Sequence, residues 1–212
     1  MQSESHIPVP EPAIERHPLD PFLPEGAKLL MLGSFPPSQK RWSMDFFYPN
    51  FANDMWRVFG LLYFGDPAHF YLHPAANAKG YDKAEIVKFL TERGIAIFDT
   101  ACAVRRLKGT ASDADLEIAE PTDIRSLLWR LPECKAIAAT GGKASTQAAT
   151  YFGVEEPAVG ARKTLELRSQ DGTGAARSTD LYRMPSTSRA YPLPLIKKAA
   201  AYGEMLRTLR LL

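Results

Sequence analysis

Residues 33–56 read GSFPPSQKRWSMDFFYPNFANDMW, directly after the apolar run Lys28-Leu29-Leu30-Met31-Leu32. A short apolar run stopped by glycine reads as a buried strand that ends at Gly33. A Ser/Pro loop follows, then a block dense in aromatics that closes on Asn53-Asp54-Met55-Trp56. In an open α/β sheet, ligands bind in the crevice beyond the carboxyl ends of the strands. The strand and its loop therefore mark the floor of a candidate active site.

Elements continue outward from this segment. Met55, Val58, Phe59 and Leu62 recur at helical spacing and predict a helix over 53–64. Residues 82–93 read as a helix, with Asp82 as N-cap, Glu85 completing a capping box and Gly94 at the C-cap. A buried strand over 95–99 follows. A helix over 122–131 starts after Pro121, a third core strand covers 135–140, and Gly141-Gly142-Lys143 opens a helix that runs through Phe152. Residues 162–168 and 180–184 read as strands around a polar turn at 169–179, and 192–211 as a closing helix. Strands that alternate with helices predict a single α/β domain over 25–212. Its expected form is a three-layer α/β/α stack around a mainly parallel four-stranded sheet. Residues 1–24, polar and rich in proline, are expected to form a loosely ordered arm; they lack the apolar stretch of a signal peptide.

The 212 residues suffice for one substantial core. Two cysteines, Cys102 and Cys134, are too few for a four-thiolate zinc or iron–sulfur site and read as free thiols of a reducing cytoplasm. No apolar run is long enough to span a membrane. The expectation is a cytoplasmic monomer that uses neither metal nor cofactor. A net charge of +2 points to no partner, but positive charge concentrates after residue 180 and again at Arg105, Arg106 and Lys108. Such clusters are either solvated faces or phosphate contacts.

Four strand-end loops converge if the sheet is parallel: Gly33-Ser34, Asp99-Thr100, Thr140-Gly141-Gly142 and the loop after Met184. In the first, Gly33 permits close approach of a ligand, and Pro36 and Pro37 stiffen the backbone. Phe46, Phe47 and Tyr48 either stack on a base or belong to the core. Asn53 is an N-cap or a site residue, and Trp56 reads as core. Asp99 is catalytic or caps its turn. Pro185-Ser186-Thr187-Ser188-Arg189 carries three hydroxyls and a cation, suited to phosphate oxygens or to a polar turn. Gly141-Gly142-Lys143 is not a Walker A loop, yet a helix N-terminus there can meet a phosphate.

Together these segments resemble the uracil-DNA glycosylase superfamily. Gly33-Ser34-Phe35-Pro36-Pro37 is similar to its first motif. Pro49 with Asn53-Asp54-Met55-Trp56 resembles the Pro…Asn-x-Phe-Trp segment of the mismatch-specific (thymine/uracil) and hypoxanthine-DNA glycosylases. Met184-Pro185-Ser186 looks like the second motif of the thymine enzymes, and the segments at 94–99, 105–109 and 142–144 look most like the hypoxanthine branch. The resemblance spans about residues 27–200.

It implies a monofunctional enzyme that flips a damaged nucleotide out of DNA and hydrolyses its N-glycosidic bond, with uracil or hypoxanthine as the base. Asn53 and Asp99 are then the catalytic candidates. Gly33, Ser34, Phe35, Pro36, Phe46 or Phe47, and Thr140 form the base pocket, where backbone N–H groups of residues 33–35 stabilise the departing anion. Ser38, Lys143, Ser186, Thr187, Ser188 and Arg189 contact DNA, and Arg189 can fill the gap left by the flipped nucleotide. Phe35 stands where several relatives keep a water-activating Asp or Asn. Met184 replaces a base-stabilising His, and Pro37 a thymine-excluding Tyr. The resemblance therefore predicts slow action on uracil or a preference for another base. A non-catalytic binder of damaged or single-stranded nucleic acid is the alternative, and a nucleoside hydrolase a third reading.

Overall fold

The computed structural model describes residues 12–72, 80–107, 115–168 and 176–212. Residues 1–11 of the arm, His73 and Pro74, Lys108 and Gly109, and most of the turn expected at 169–179 lie outside them. The strands are β1 (Ile14–Arg16), β2 (Leu29–Gly33), β3 (Ile95–Asp99), β4 (Ala101–Arg106), β5 (Leu116–Pro121), β6 (Ala136–Thr140), β7 (Arg162–Leu167) and β8 (Arg177–Met184). The helices are α1 (Met55–Phe64), α2 (Lys83–Arg93), α3 (Ile124–Trp129), α4 (Gly142–Phe152) and α5 (Leu195–Thr208).

The main sheet has the order β3-β2-β6-β8-β7. Its first four strands run parallel, and every residue of β2, β3 and β6 is buried. Such strands read as unbroken apolar runs because both faces are covered. The expected four strands are therefore five. Arg162–Leu167 folds back on β8 as an antiparallel edge with alternating exposure, a pattern suited to a strand with one face in solvent. Parallel crossovers are right-handed as a rule, and with this strand order the rule places α1 and α2 on one face of the sheet and α3 and α4 on the other. Tyr63 Oη of α1 donates to Leu211 O just beyond α5, and Arg125 N of α3 donates to Tyr151 Oη of α4, so each layer is tied internally.

A second sheet, β1-β4-β5, is antiparallel and was absent from the sequence reading. Its strands are short and rich in alanine and charge, so they carry little apolar alternation. It also corrects the expectation of a loose arm. Ile14–Arg16 pairs with β4, and Phe22 bridges to Ile97 at the edge of the main sheet. Residues 12–24 are thus strapped across the domain.

Helix ends follow their caps. Asp82 accepts from Glu85 N, and Gly94 closes α2 in the left-handed conformation. The helix expected at 53–64 begins at Met55, with Asp54 rather than Asn53 at the N-cap position. α3 is shorter than expected because Asp123 caps it, and α5 waits until Pro194 has passed. Among the described residues no helix is long and apolar enough to cross a membrane, and no group of three or more His, Cys, Asp or Glu is disposed to hold a metal.

Candidate active site

The loops leaving β2, β3, β6 and β8 enclose a cleft of about 480 Å³. Its floor is the pair Gly33 and Asp99, which face each other across β2 and β3. A Cβ on Gly33 would stand 2.3 Å from Asp99 Oδ1, so glycine is what lets the carboxylate lie over the strand end. Asp99 is 6% exposed. Its Oδ2 is 3.0 Å from His17 Nε2, and its carbonyl accepts from Thr122 Oγ1. Thr100 N donates to Gly33 O as the next rung between β3 and β2, so that N–H is not capped by the Asp99 carboxylate.

One wall comes from the aromatic block. Phe47 and Tyr48 line the cleft, whereas Phe46 packs behind them against Phe22 and Phe47. Buried Trp56 explains the arrangement: its indole N–H is shared between the carbonyls of Phe47 and Tyr48, 3.2 Å from each. Tyr48 has φ +48°, a left-handed conformation that L residues adopt only at a cost of about 1–2 kcal/mol. The strained turn aims its hydroxyl at Thr140 Oγ1, 2.8 Å away, and Thr140 donates in turn to Leu32 O. Phe35 lines the cleft, but its ring joins Ala101, Val104 and Leu116 in a small apolar cluster and meets the His17 ring edge-on. Phe35 here serves as packing.

The opposite wall is built where the two motif segments meet. Asn53 forms a β-bridge with Ser188, Asp54 N donates to Thr187 O at 2.8 Å, and Arg189 N donates to Ala52 O at 2.9 Å. Asn53 Oδ1 accepts from Met55 N at 2.9 Å. That bond fixes which amide atom is the oxygen, and it leaves the NH2 group, a pure donor, as what Asn53 can offer a ligand. The Ser186 and Ser188 hydroxyls accept backbone N–H groups of Ser188 and Ala190, which leaves each O–H to donate elsewhere.

Behind this wall lies an ion cluster. Asp54 Oδ1 accepts from Arg57 at 2.8 Å and from Arg189 Nε at 3.0 Å, and Oδ2 accepts from Lys198 Nζ at 3.0 Å. Lys198 is only 1% exposed and also donates to Ser188 O. Burial alone would push the Asp54 carboxyl up. The hydrogen bonds from Arg57, Lys198 and Arg189 outweigh it and hold the group below the ordinary carboxylate range.

Of the residues expected to form the site, Gly33, Ser34, Phe35, Pro36, Phe47, Asn53, Asp99, Thr140, Ser186 and Ser188 all line one cleft. Phe46 and Thr187 are buried away from it. Ser38 precedes a short 3-10 turn (Gln39–Arg41) on the surface, and Lys143 reaches Leu116 O. The Arg189 side chain, 44% exposed, holds Asp54 through Nε. The sequence reading missed four contributors. His17 gave no signal, since it lies far from the motifs in the chain. Tyr48 was visible only as one of three aromatics, Arg41 lines the rim unannounced, and Lys198 was hidden in a basic cluster. Arg106, whose cluster reads in sequence as either a solvated face or a phosphate contact, lines the cleft while pairing with Glu15 and Pro36 O.

A three-layer α/β domain with a cleft at the carboxyl edge of its parallel strands defines the class of fold. No family model and no curated protein sequence matches the chain. The chain is similar to a solved structure, the solution NMR structure of "a putative Uracil DNA glycosylase" from Methanosarcina acetivorans. Identity is 20% and the TM-score 0.57, over 93% of this chain and 99% of that one. At this identity the likeness shows the shared fold.

Proposed function

We propose that this chain is a DNA glycosylase that accepts a flipped-out, deaminated base in the cleft and releases it by hydrolysis. The observation that carries the reading is the junction of the two motif segments, Asn53 bridged to Ser188, beside a buried carboxylate at the strand ends. A cleft of this size falls within the roughly 300–1,000 Å³ typical of small-ligand pockets. It is lined by an aromatic, a pure amide donor and hydroxyls, which suit a flat polar base held by stacking and edge contacts.

The roles follow from hydrogen-bonding capacity. Asn53 has its acceptor committed to Met55, so it donates to the base. Asp99 has no N–H or O–H to give when ionised, so it accepts. Water polarised by Asp99 attacks C1′, and its proton passes to the carboxylate. The C1′–N bond breaks with its electron pair moving to the base, and the base leaves as an anion stabilised by Asn53 and by N–H groups at the end of β2. A proton delivered to the base from Asp99 or solvent completes the balance, giving free base and an abasic site. Ser186 and Ser188 donate to backbone phosphates. Uracil or hypoxanthine is the base expected from the sequence resemblance.

The test is incubation with duplexes that carry a single dU, dI or mismatched T, followed by alkaline cleavage. Product from at least one lesion is expected. No product from any of them at large enzyme excess refutes the proposal. The competing reading, a non-catalytic binder on the same fold, draws on Phe35, whose apolar ring fills a position that is polar in several relatives. It predicts lesion binding with no cleavage.

A further inference from the structure

His17 sits outside every motif, yet it touches the centre of the cleft. Backbone pairing of Ile14–Arg16 with β4, and of His17 N with Cys102 O at 2.8 Å, delivers it there. Its side chain is 4% exposed and is held among Phe35, Phe47 and Phe98. Among the described residues no lysine or arginine pairs with Asp99; the imidazole is the hydrogen-bonding partner of its Oδ2. A carboxylate in a low-dielectric site stays an acceptor only while a donor holds its charge.

The far side of the ring is equally telling. Nδ1 lies 2.8 Å from Leu19 O and 3.1 Å from Leu19 N. A neutral ring accepts from Leu19 N–H, and a protonated ring donates to Leu19 O. In both states Nδ1 has a partner, and facing an ionised, acceptor-only Asp99 the ring carries its proton on Nε2, toward Oδ2. Oδ1 is then left over Gly33, facing the cleft.

We propose that His17, carried in by the N-terminal strap, is a positioning residue: it fixes the Asp99 carboxylate so that Oδ1 meets the attacking water. The strap is therefore part of the active site. This rests on the glycosylase reading above, and the experiment separates the two.

The experiment is single-turnover excision at enzyme excess, with duplex affinity and thermal midpoint measured on the same samples. His17→Met removes the donor and keeps the bulk. It should lower the excision rate roughly 100-fold, the scale of a misplaced reacting group, with affinity for the duplex unchanged. His17→Gln places an amide N–H near the Nε2 position and should keep the rate within a few-fold of wild type. His17→Asn, one methylene short, should resemble His17→Met, and it replaces that variant if the latter folds poorly. Adding His17→Met to Asp99→Asn should cost nothing further, because no carboxylate is then left to position. Equal rates in Met, Asn and Gln variants, or losses that track only the thermal midpoint, overturn the positioning role while leaving the glycosylase reading intact. A wild type that excises no lesion overturns that reading and this proposal with it.

Discussion

The ion cluster behind the cleft makes an asymmetric prediction about stability. Lys198 is fully buried, and its ammonium has one carboxylate, Asp54, and two carbonyls, Thr187 O and Ser188 O. Asp54 is better supplied, because it also holds Arg57 and Arg189, both partly exposed. Asp54→Ala strands a buried cation, which costs about 3–5 kcal/mol. Asp54 makes no side-chain cap bond to α1, so no capping loss adds to this. Lys198→Met removes the ammonium with its bonds to Asp54 and the two carbonyls, but it strands no charge and leaves the carboxylate paired, for a smaller loss of about 1.5–3 kcal/mol. In a domain of this size 1 kcal/mol moves the thermal midpoint by roughly 2–4 °C. Asp54→Ala should therefore fall by about 6–20 °C, clearly more than Lys198→Met. The double variant should lose less than the sum of the two singles, because neither charge is then left alone. Urea melts of all four proteins give the cycle. A Lys198→Met loss equal to or larger than that of Asp54→Ala, or both losses under about 1 kcal/mol, refutes the view that this cluster locks the motif loops together.

Other expectations follow from the same geometry. The Asp54 carboxyl is held below its ordinary value of 3.8, so its contribution to stability is complete above that pH and is lost as pH falls through the folded value. Melts across acid pH should show a drop in the wild type that is blunted in Asp54→Ala. Gly33→Ala should fold but push Asp99 Oδ1 aside, because a Cβ would stand 2.3 Å from it. Single-turnover excision should then fall by roughly 100-fold, with DNA affinity retained. Asn53→Asp keeps the acceptor for Met55 N and loses both amide donors, so excision should collapse while the melting midpoint stays near wild type. Arg41 is exposed on the rim, and no ion pair involves it among the described residues. Arg41→Ala should reduce the slope of log affinity against log salt by about 0.7–0.9; an unchanged slope means Arg41 meets no phosphate.

What the sequence reveals and what it hides divide along physical lines. The parallel strands are legible because burial on both faces leaves unbroken apolar runs such as Leu29–Gly33 and Ile95–Asp99. α2 is legible because Asp82 and Gly94 write its ends chemically. The second sheet is not. Its strands are held by pairing with distant segments, and β1 is exposed at every residue, so no periodicity marks it. The gathering of motif loops at one edge follows from topology, which alternation of strand and helix already implies. The exact loop contacts do not. Phe46 and Phe47 are neighbours of one type, and only the indole of Trp56, reaching back nine residues to Phe47 O, selects which ring faces the cleft. Arg189 reads from its loop as a phosphate ligand, and its bond to Asp54, 135 residues away in sequence, is not legible there. His17 is the clearest case. A histidine in a proline-rich arm carries no local signal, and its meaning lies in a carboxylate 82 residues further on.

Asp99, over Gly33 in the cleft that the Asn53–Ser188 bridge also lines, is the group proposed to make this site hydrolytic. The most direct measurement is release of free base from a lesion-bearing duplex under single-turnover conditions, with wild type and Asp99→Asn compared at equal DNA occupancy. The wild type should release uracil or hypoxanthine, and the variant should lose at least roughly 100-fold, the lower range for a general base. Base release that is unchanged by Asp99→Asn would contradict that role.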